Sequence, residues 1–333
     1  MRRIISILTV LTLVAVLALA VVACGSDDDG DIGAAPSPTA SAEQLVQQSL
    51  EATGKAESAS FVADMTLKAE GDPSQMDPST QAMTDLSVHA EGKGAKSPMA
   101  ADMTMSLGIA GQTMEFAMMA QDDKAWIQYQ GKWYEIDQKT AQGLGVQASP
   151  SAAPDEQLKG MGLDPEAWGA AYELVGTEQM DGTWVHHVKA TVDPQKLADS
   201  LLDVANDPSM LKQLGQAGVG KELRETLKED KAEIRELGDS LKNTSADFWI
   251  GADDMLMRKA TLTMNMDMTG QKDSQGVDTM AMAGSLRLSE FGEDVSVTPP
   301  ADALPFSELM SSFFGGMFGG MGGGMGGGDS LSF

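Results

Sequence analysis

The feature that most constrains this chain is a period of two. Phe61, Ala63, Met65, Leu67 and Ala69 alternate with Asp64, Thr66, Lys68 and Glu70. Successive residues of a strand point to opposite faces, so this pattern specifies a strand with one covered face and one wet face. The same alternation returns at Leu86, Val88 and Ala90, at Met103, Met105, Leu107 and Ile109, and at Met114, Phe116 and Met118. Short strands at 125–129 and 132–136 are joined at Gln130-Gly131, a hairpin signal. Alternation resumes at 183–192, around Phe248 and Ile250, from Leu256 to Met268, and from Met280 to Leu288, with a short edge expected at Val295-Ser296-Val297. Gly71-Asp72-Pro73, Gly92-Lys93-Gly94 and Gly111-Gln112 read as the intervening turns. Such short connections favour antiparallel pairing.

Helical signals interrupt the strands at three places. Ser41 and Gln44 form a capping box for a helix over 42–53, with Gly54 as its stop. Asp164-Pro165-Glu166 opens a short helix that carries Trp168, Tyr172 and Leu174, with Pro165 at its first position. Asp193-Pro194 starts a helix bearing Leu197, Leu201 and Val204, and a second amphipathic stretch runs over 207–238, broken near Gly215 to Gly220. The expected class is α+β: a large curved antiparallel sheet of about ten or eleven strands, with helices covering its concave face.

The N-terminus decides location. Met1-Arg2-Arg3 precedes an apolar run from Ile4 to Val22, an export signal in form. Val21-Val22-Ala23-Cys24 resembles the lipobox of bacterial lipoproteins. The resemblance implies that residues 1–23 are removed and that Cys24 carries a diacylglyceryl thioether as the new N-terminus. Two acyl chains suffice for stable anchoring where one does not. Residues 24–41, rich in Asp, Pro, Ser and Ala, read as a flexible tether. The expected domain spans 42–300. Residues 301–333, dominated by Gly and Met towards the end, are expected to stay disordered because glycine at that density costs too much ordering entropy. The protein is thus expected on the extracytoplasmic face of the cell membrane, with the lipidated Cys24 as its membrane contact.

Charge and composition exclude several classes. A net charge of −26 rules out a phosphate-neutralising surface and hence nucleic acid as a partner. It also opposes contact between the domain and anionic headgroups. The single cysteine permits no disulfide framework, and once lipidated it leaves no thiol for catalysis. The histidines are His89, His186 and His187; the adjacent pair faces opposite ways on a strand and cannot chelate one ion. Trp126, Trp133, Trp168, Trp184 and Trp249 read as core and cavity wall. No nucleophile elbow, phosphate loop or metalloprotease motif occurs in a usable context, so no enzyme activity and no cofactor are expected. There are 24 methionines against 5% aromatics. Unbranched thioethers make an adaptable apolar lining. They also suit soft Cu(I), and Met317, Met321 and Met325 repeat in the tail, but a cysteine partner and a Met/His cluster are missing.

The order of further motifs resembles a family. Helix 43–50 is followed by Ala56-Glu57-Ser58-Ala59-Ser60-Phe61, then Lys124-Ala125-Trp126-Ile127 and Gly131-Lys132-Trp133-Tyr134, then Trp184-Val185-His186-His187, and late Phe248-Trp249-Ile250-Gly251 before Leu256-Met257-Arg258-Lys259. Over residues 42–298 this looks like the LppX/LprG-type envelope lipoproteins of actinobacteria and, more distantly, the LolA/LolB-like carriers. The resemblance implies a half-barrel with a hydrophobic cavity, a lipid or glycolipid ligand, and transport through the envelope with a transporter as partner. On that reading Phe61, Met65, Leu67, Met103, Met105, Leu107, Met114, Phe116, Met264 and Met266 line the cavity. The competing expectations are an interaction or sensory ectodomain with a packed core, and a methionine-rich Cu(I)-binding envelope protein.

Overall fold

The structure, a computed structural model, describes residues 37–76, 80–81, 84–122, 124–136, 169–206, 231–271, 274 and 276–309. Cys24, residues 25–36 and the Gly/Met segment from Met310 lie outside the described residues, as does the expected helix start at 164–168.

Helix α1 (Ala42–Lys55) begins at the expected capping box: Ser41 Oγ accepts from Gln44 N, and the Gln44 side chain accepts from Ser41 N. Gly54 does not stop it. The helix runs to Lys55 and ends at an extended Ala56, whose N–H reaches Thr53 O, while Lys96 Nζ donates to Gly54 O at 2.9 Å. A cation there also complements the helix dipole.

Six strands then follow in a meander: β1 (Ser58–Gly71), β2 (Asp85–Lys96), β3 (Met99–Ile109), β4 (Gln112–Gln121), β5 (Lys124–Tyr129) and β6 (Lys132–Ile136). β2 passes straight through Gly92-Lys93-Gly94 and turns at Ser97-Pro98 instead. At Gly92 the backbones of β2 and β3 approach so closely that a Cβ would sit 2.4 Å from Asp102 O. That glycine is therefore a close-packing residue within a strand, which sequence alone presents as a turn. The hairpin turns Ala110-Gly111, Gln130-Gly131 and Asp181-Gly182 have positive φ at both residues, as type I′ turns require.

A second meander is formed by β7 (Ala171–Met180), β8 (Thr183–Thr191), β9 (Leu241–Gly251), β10 (Met257–Asp267) and β11 (Val277–Ser289). Between β8 and β9 stand α2 (Pro194–Asn206), capped by Asp193 Oδ1 on Gln195 N and Lys196 N, and α3 (Lys231–Ser240). The two helices pack on each other where Gly238 meets Ala198; a Cβ on Gly238 would lie 2.8 Å from that of Ala198.

The strand order is β12-β6-β5-β4-β3-β2-β1-β11-β10-β9-β8-β7. The two meanders thus join at β1 and β11, paired antiparallel from Ser60↔Ser289 to Ala69↔Met280, in the middle of one open, curved sheet. Every pairing is antiparallel except that of β12 (Leu304–Pro305), which lies parallel to β6.

Three expectations are corrected. Tyr172 and Leu174 belong to the edge strand β7 and not to a helix; a bulge at Val175 breaks the alternation that would have announced the strand. Residues 295–297 form no strand, and the added edge is β12. The ordered domain continues past residue 300, since Leu304 and Pro305 pair with β6 and Leu309 is buried.

Candidate functional site

Pairing register decides which side chains share a face. Directly opposed residues of neighbouring strands lie on the same side of the sheet. On β1 the odd-numbered side is inward: Ala63, Met65 and Leu67 are buried, while Val62, Asp64 and Thr66 are exposed. From β1 the register carries this inner face through Leu67↔Leu86 and Met65↔Val88 to β2, through Val88↔Leu107 and Ala90↔Met105 to β3, and through Leu107↔Met114 and Met105↔Phe116 to β4. On the other side it runs through Leu67↔Met282 to β11 and through Met282↔Met264 and Met280↔Met266 to β10. All ten residues proposed from sequence, Phe61, Met65, Leu67, Met103, Met105, Leu107, Met114, Phe116, Met264 and Met266, therefore lie on one continuous face.

That face has two parts. Towards β8–β11, α1 packs on it. Leu45 and Val46 join Val188 and Ile250, with Leu50 and Phe248 packed against that cluster. Ala63, Ala260, Leu286 and Leu288 form the adjoining cluster, with Phe61 packed against it. The α1 C-terminus is fixed by a buried hydrogen bond from Met257 N to Thr53 Oγ1 at 2.8 Å. Towards β3–β5 the same face is only half-buried: Met103, Met105, Leu107, Met114, Phe116, Met118 and Ile127 are neither closed off nor fully exposed. Phe116 stacks on Tyr129 with ring centroids 5.4 Å apart. Met65, Leu67 and Met266, at the centre of the sheet, are buried at 8%, 6% and 3% exposure.

Sequence reasoning had nominated neither Leu86 and Val88 of β2 nor Met282 of β11, although each alternates visibly; their membership follows from register. It also missed Thr244. This residue pairs with Met264, is 8% exposed, and has an Oγ1 with no hydrogen-bond partner. Trp184 Nε1, on the inner side of β8, is likewise unpartnered. Both groups lie on the β8–β9 part of the face, which α1 packs against.

The histidines separate as strand geometry dictates. His186 faces inward against Thr177 Oγ1 at 2.9 Å, and burial pushes its imidazole pKa down. His187 faces outward, 2.9 Å from Asp247 Oδ1, and stacks on Trp249 at 4.4 Å. His89 lies on the outer face beside Asp64, and the hydrogen bond to that carboxylate raises its pKa. Among the described residues no three His, Cys, Asp or Glu side chains converge as a metal site. The tryptophans do not all line the inner face. Trp126 is buried on the opposite side of β5, its register partners being Met119 and Glu135, and Trp249 also points outward, its indole N–H donating to Glu178. No helix among the described residues is long and apolar enough to cross a membrane.

A family model described as a family of unknown function (DUF6612) matches residues 41–162. No curated protein matches the sequence. Among solved structures, the chain is similar to the lipoprotein LppX of Mycobacterium tuberculosis at 16% identity, covering 77% of this chain and 97% of that one with a TM-score of 0.33. It is similar to LprF from Mycobacterium bovis at 14% identity, covering 80% and 100%, with a TM-score of 0.39. A LolA superfamily protein from Nitrosomonas europaea aligns at 8% identity over 78% and 96%, with a TM-score of 0.20. The architecture itself rests on the strand order and register given above.

Proposed function

We propose that this protein is a non-catalytic, membrane-tethered envelope lipoprotein that binds the acyl chains of a lipid or glycolipid against the inner face of its sheet and hands the ligand on within the envelope. The observation that carries the reading is the uneven cover of that face. Helix α1 packs against its β8–β11 part, whereas the β3–β5 part remains an apolar surface with its thioethers and Phe116 half-buried. Withdrawing methylenes from water onto such a surface contributes about 0.8 kcal/mol each. A single long acyl chain thus supplies ample gross driving force. Methionine suits the task because its unbranched side chain follows an irregular hydrocarbon. Cys24 is assigned the diacylglyceryl anchor, which keeps the strongly acidic domain near a membrane surface that its charge would otherwise avoid.

Native mass spectrometry of residues 25–333, followed by solvent extraction, tests the reading. A co-purifying lipid, or uptake of 11-(dansylamino)undecanoic acid with a blue-shifted emission, is the expected result. A domain that carries no lipid and leaves the dansyl emission at its value in water would overturn it.

A further inference from the structure

The half-buried face over β3–β5 lies next to the edge where the described chain ends. β12 brings the backbone alongside β6, and Leu309, four residues further on, is buried. The following segment, Met310 to Gly328, contains no charged residue in a chain of net charge −26. Its bulky residues begin at once: Phe313, Phe314, Met317 and Phe318, separated by glycines. They are the same side-chain types as Met103, Met105, Phe116 and Met118 on the face.

Reach permits contact. Neighbouring strands are about 4.8 Å apart, so β3 lies roughly 14 Å from β6. Phe313 stands eight residues beyond Pro305, the last residue paired with β6, and eight residues span up to about 28 Å when extended. Phe313 and Phe314 can therefore lie over β4 and β5, and Phe318 can extend past β3. Glycine between the large side chains lets the segment follow a surface without a regular conformation.

We infer that residues 313–318 dock on the β3–β5 part of the inner face of the same chain and compete with the acyl ligand for it. The inference rests on the ligand-binding reading above and adds its regulation. The tail is a built-in competitor, displaced on loading and returning on release. When such a segment occupies the face about nine-tenths of the time, it weakens the apparent affinity about tenfold.

Two measurements on the full mature chain separate this idea from the reading beneath it. First, p-benzoylphenylalanine at position 314, which inserts readily beside methionine, is photolysed and the adduct mapped. Intramolecular adducts on β3 or β4 are expected; adducts confined to a second copy of the chain, to vesicle lipid or to other strands would overturn the inference. Second, the affinity for 11-(dansylamino)undecanoic acid is compared with that of a chain ending at Leu309 and of the full chain carrying F313S, F314S and F318S. Both changes should tighten binding about tenfold. Unchanged affinity in both variants rejects competition even if the dansyl acid binds well, which leaves the carrier reading standing. Adducts on β3 or β4 with no dansyl binding in any form would support docking and overturn the carrier reading instead.

Discussion

Replacing Thr53 by valine isolates the hydrogen bond that pins α1 to the sheet. Thr53 is 4% exposed, and its Oγ1 accepts the amide proton of Met257, which is 1% exposed. Valine keeps the branched shape and has nearly the helix propensity of threonine, so packing and α1 stability change little. What changes is the Met257 amide, left buried without an acceptor where the β9–β10 register shifts between Met257 and Lys259. An orphaned buried donor costs about 1–3 kcal/mol. Serine is the control. It keeps the acceptor and loses one methyl group, a cost near 0.8 kcal/mol. Thr53→Val should therefore destabilise more than Thr53→Ser. In urea, with a slope of about 3 kcal/mol/M, the valine variant's midpoint should fall by roughly 0.3–1 M. Amide exchange at Met257 should accelerate in the valine variant and not in the serine variant. A serine variant less stable than the valine variant, or a valine variant within about 0.3 kcal/mol of the parent, would show that methyl packing and not the hydrogen bond holds the helix.

Other consequences follow from the same geometry. Burial lowers the pKa of His186, so its contribution to stability is complete above the unfolded value near 6.5 and is lost as pH falls through that value towards the folded one; urea midpoints between pH 7.5 and 5 should fall, and less so in His186→Gln. His89 has the opposite sign: its raised pKa stabilises below about 6.5 and the effect fades as pH rises through the folded value, so His89→Gln should lower the midpoint in acid only, and slightly, because the pair with Asp64 is exposed. Gly284 faces inward between Met65 and Leu262, with room for a Cβ 3.7 Å from Asp64 O; Gly284→Ala should fold like the parent, whereas Gly92→Ala, forced to within 2.5 Å of Met103 Cβ, should lose about 1–3 kcal/mol in denaturant titrations. On the proposed diacylglyceryl anchor, which rests on the sequence rather than on this geometry, Cys24→Ser should move the protein from the membrane to the soluble fraction on centrifugation and remove the lipid mass from its N-terminal peptide.

The sheet was legible in the sequence wherever a strand had one buried and one wet side. β1 and β11 announced themselves because Met65/Leu67 and Met280/Met282 alternate with polar residues. β7 did not, because its bulge at Val175 puts Leu174 and Val175 side by side and its edge position leaves Val175 53% exposed. β12 contains a proline and pairs through two residues, which leaves no period to read. The candidate face was legible strand by strand, but its continuity was not. Alternation states that Met105 and Met65 each have an inner side; only the pairing of β2 between them states that these sides are one surface. Thr244 escaped because it interrupts an apolar face with a hydroxyl, and an isolated hydroxyl in a strand has no pattern.

Side-chain type changes along the face. Beneath α1 the inner positions mix small and branched or aromatic side chains: Ala59, Ala63 and Ala260 stand beside Leu286 and Leu288, with Phe61 and Phe248 packed against the cluster that Leu50 and Ala52 of the helix also join. Away from the helix, on β3, β4 and the far ends of β10 and β11, the inner positions lengthen to Met103, Met105, Met114, Met118, Met264 and Met282. Long, unbranched chains can fold over one another when nothing covers them and straighten when something does, at little rotameric cost. A row of β-branched residues there would fix one shape and one occupant. The thioethers fix neither, so a row of methionines leaves the shape of this part of the face open where branched residues would set it.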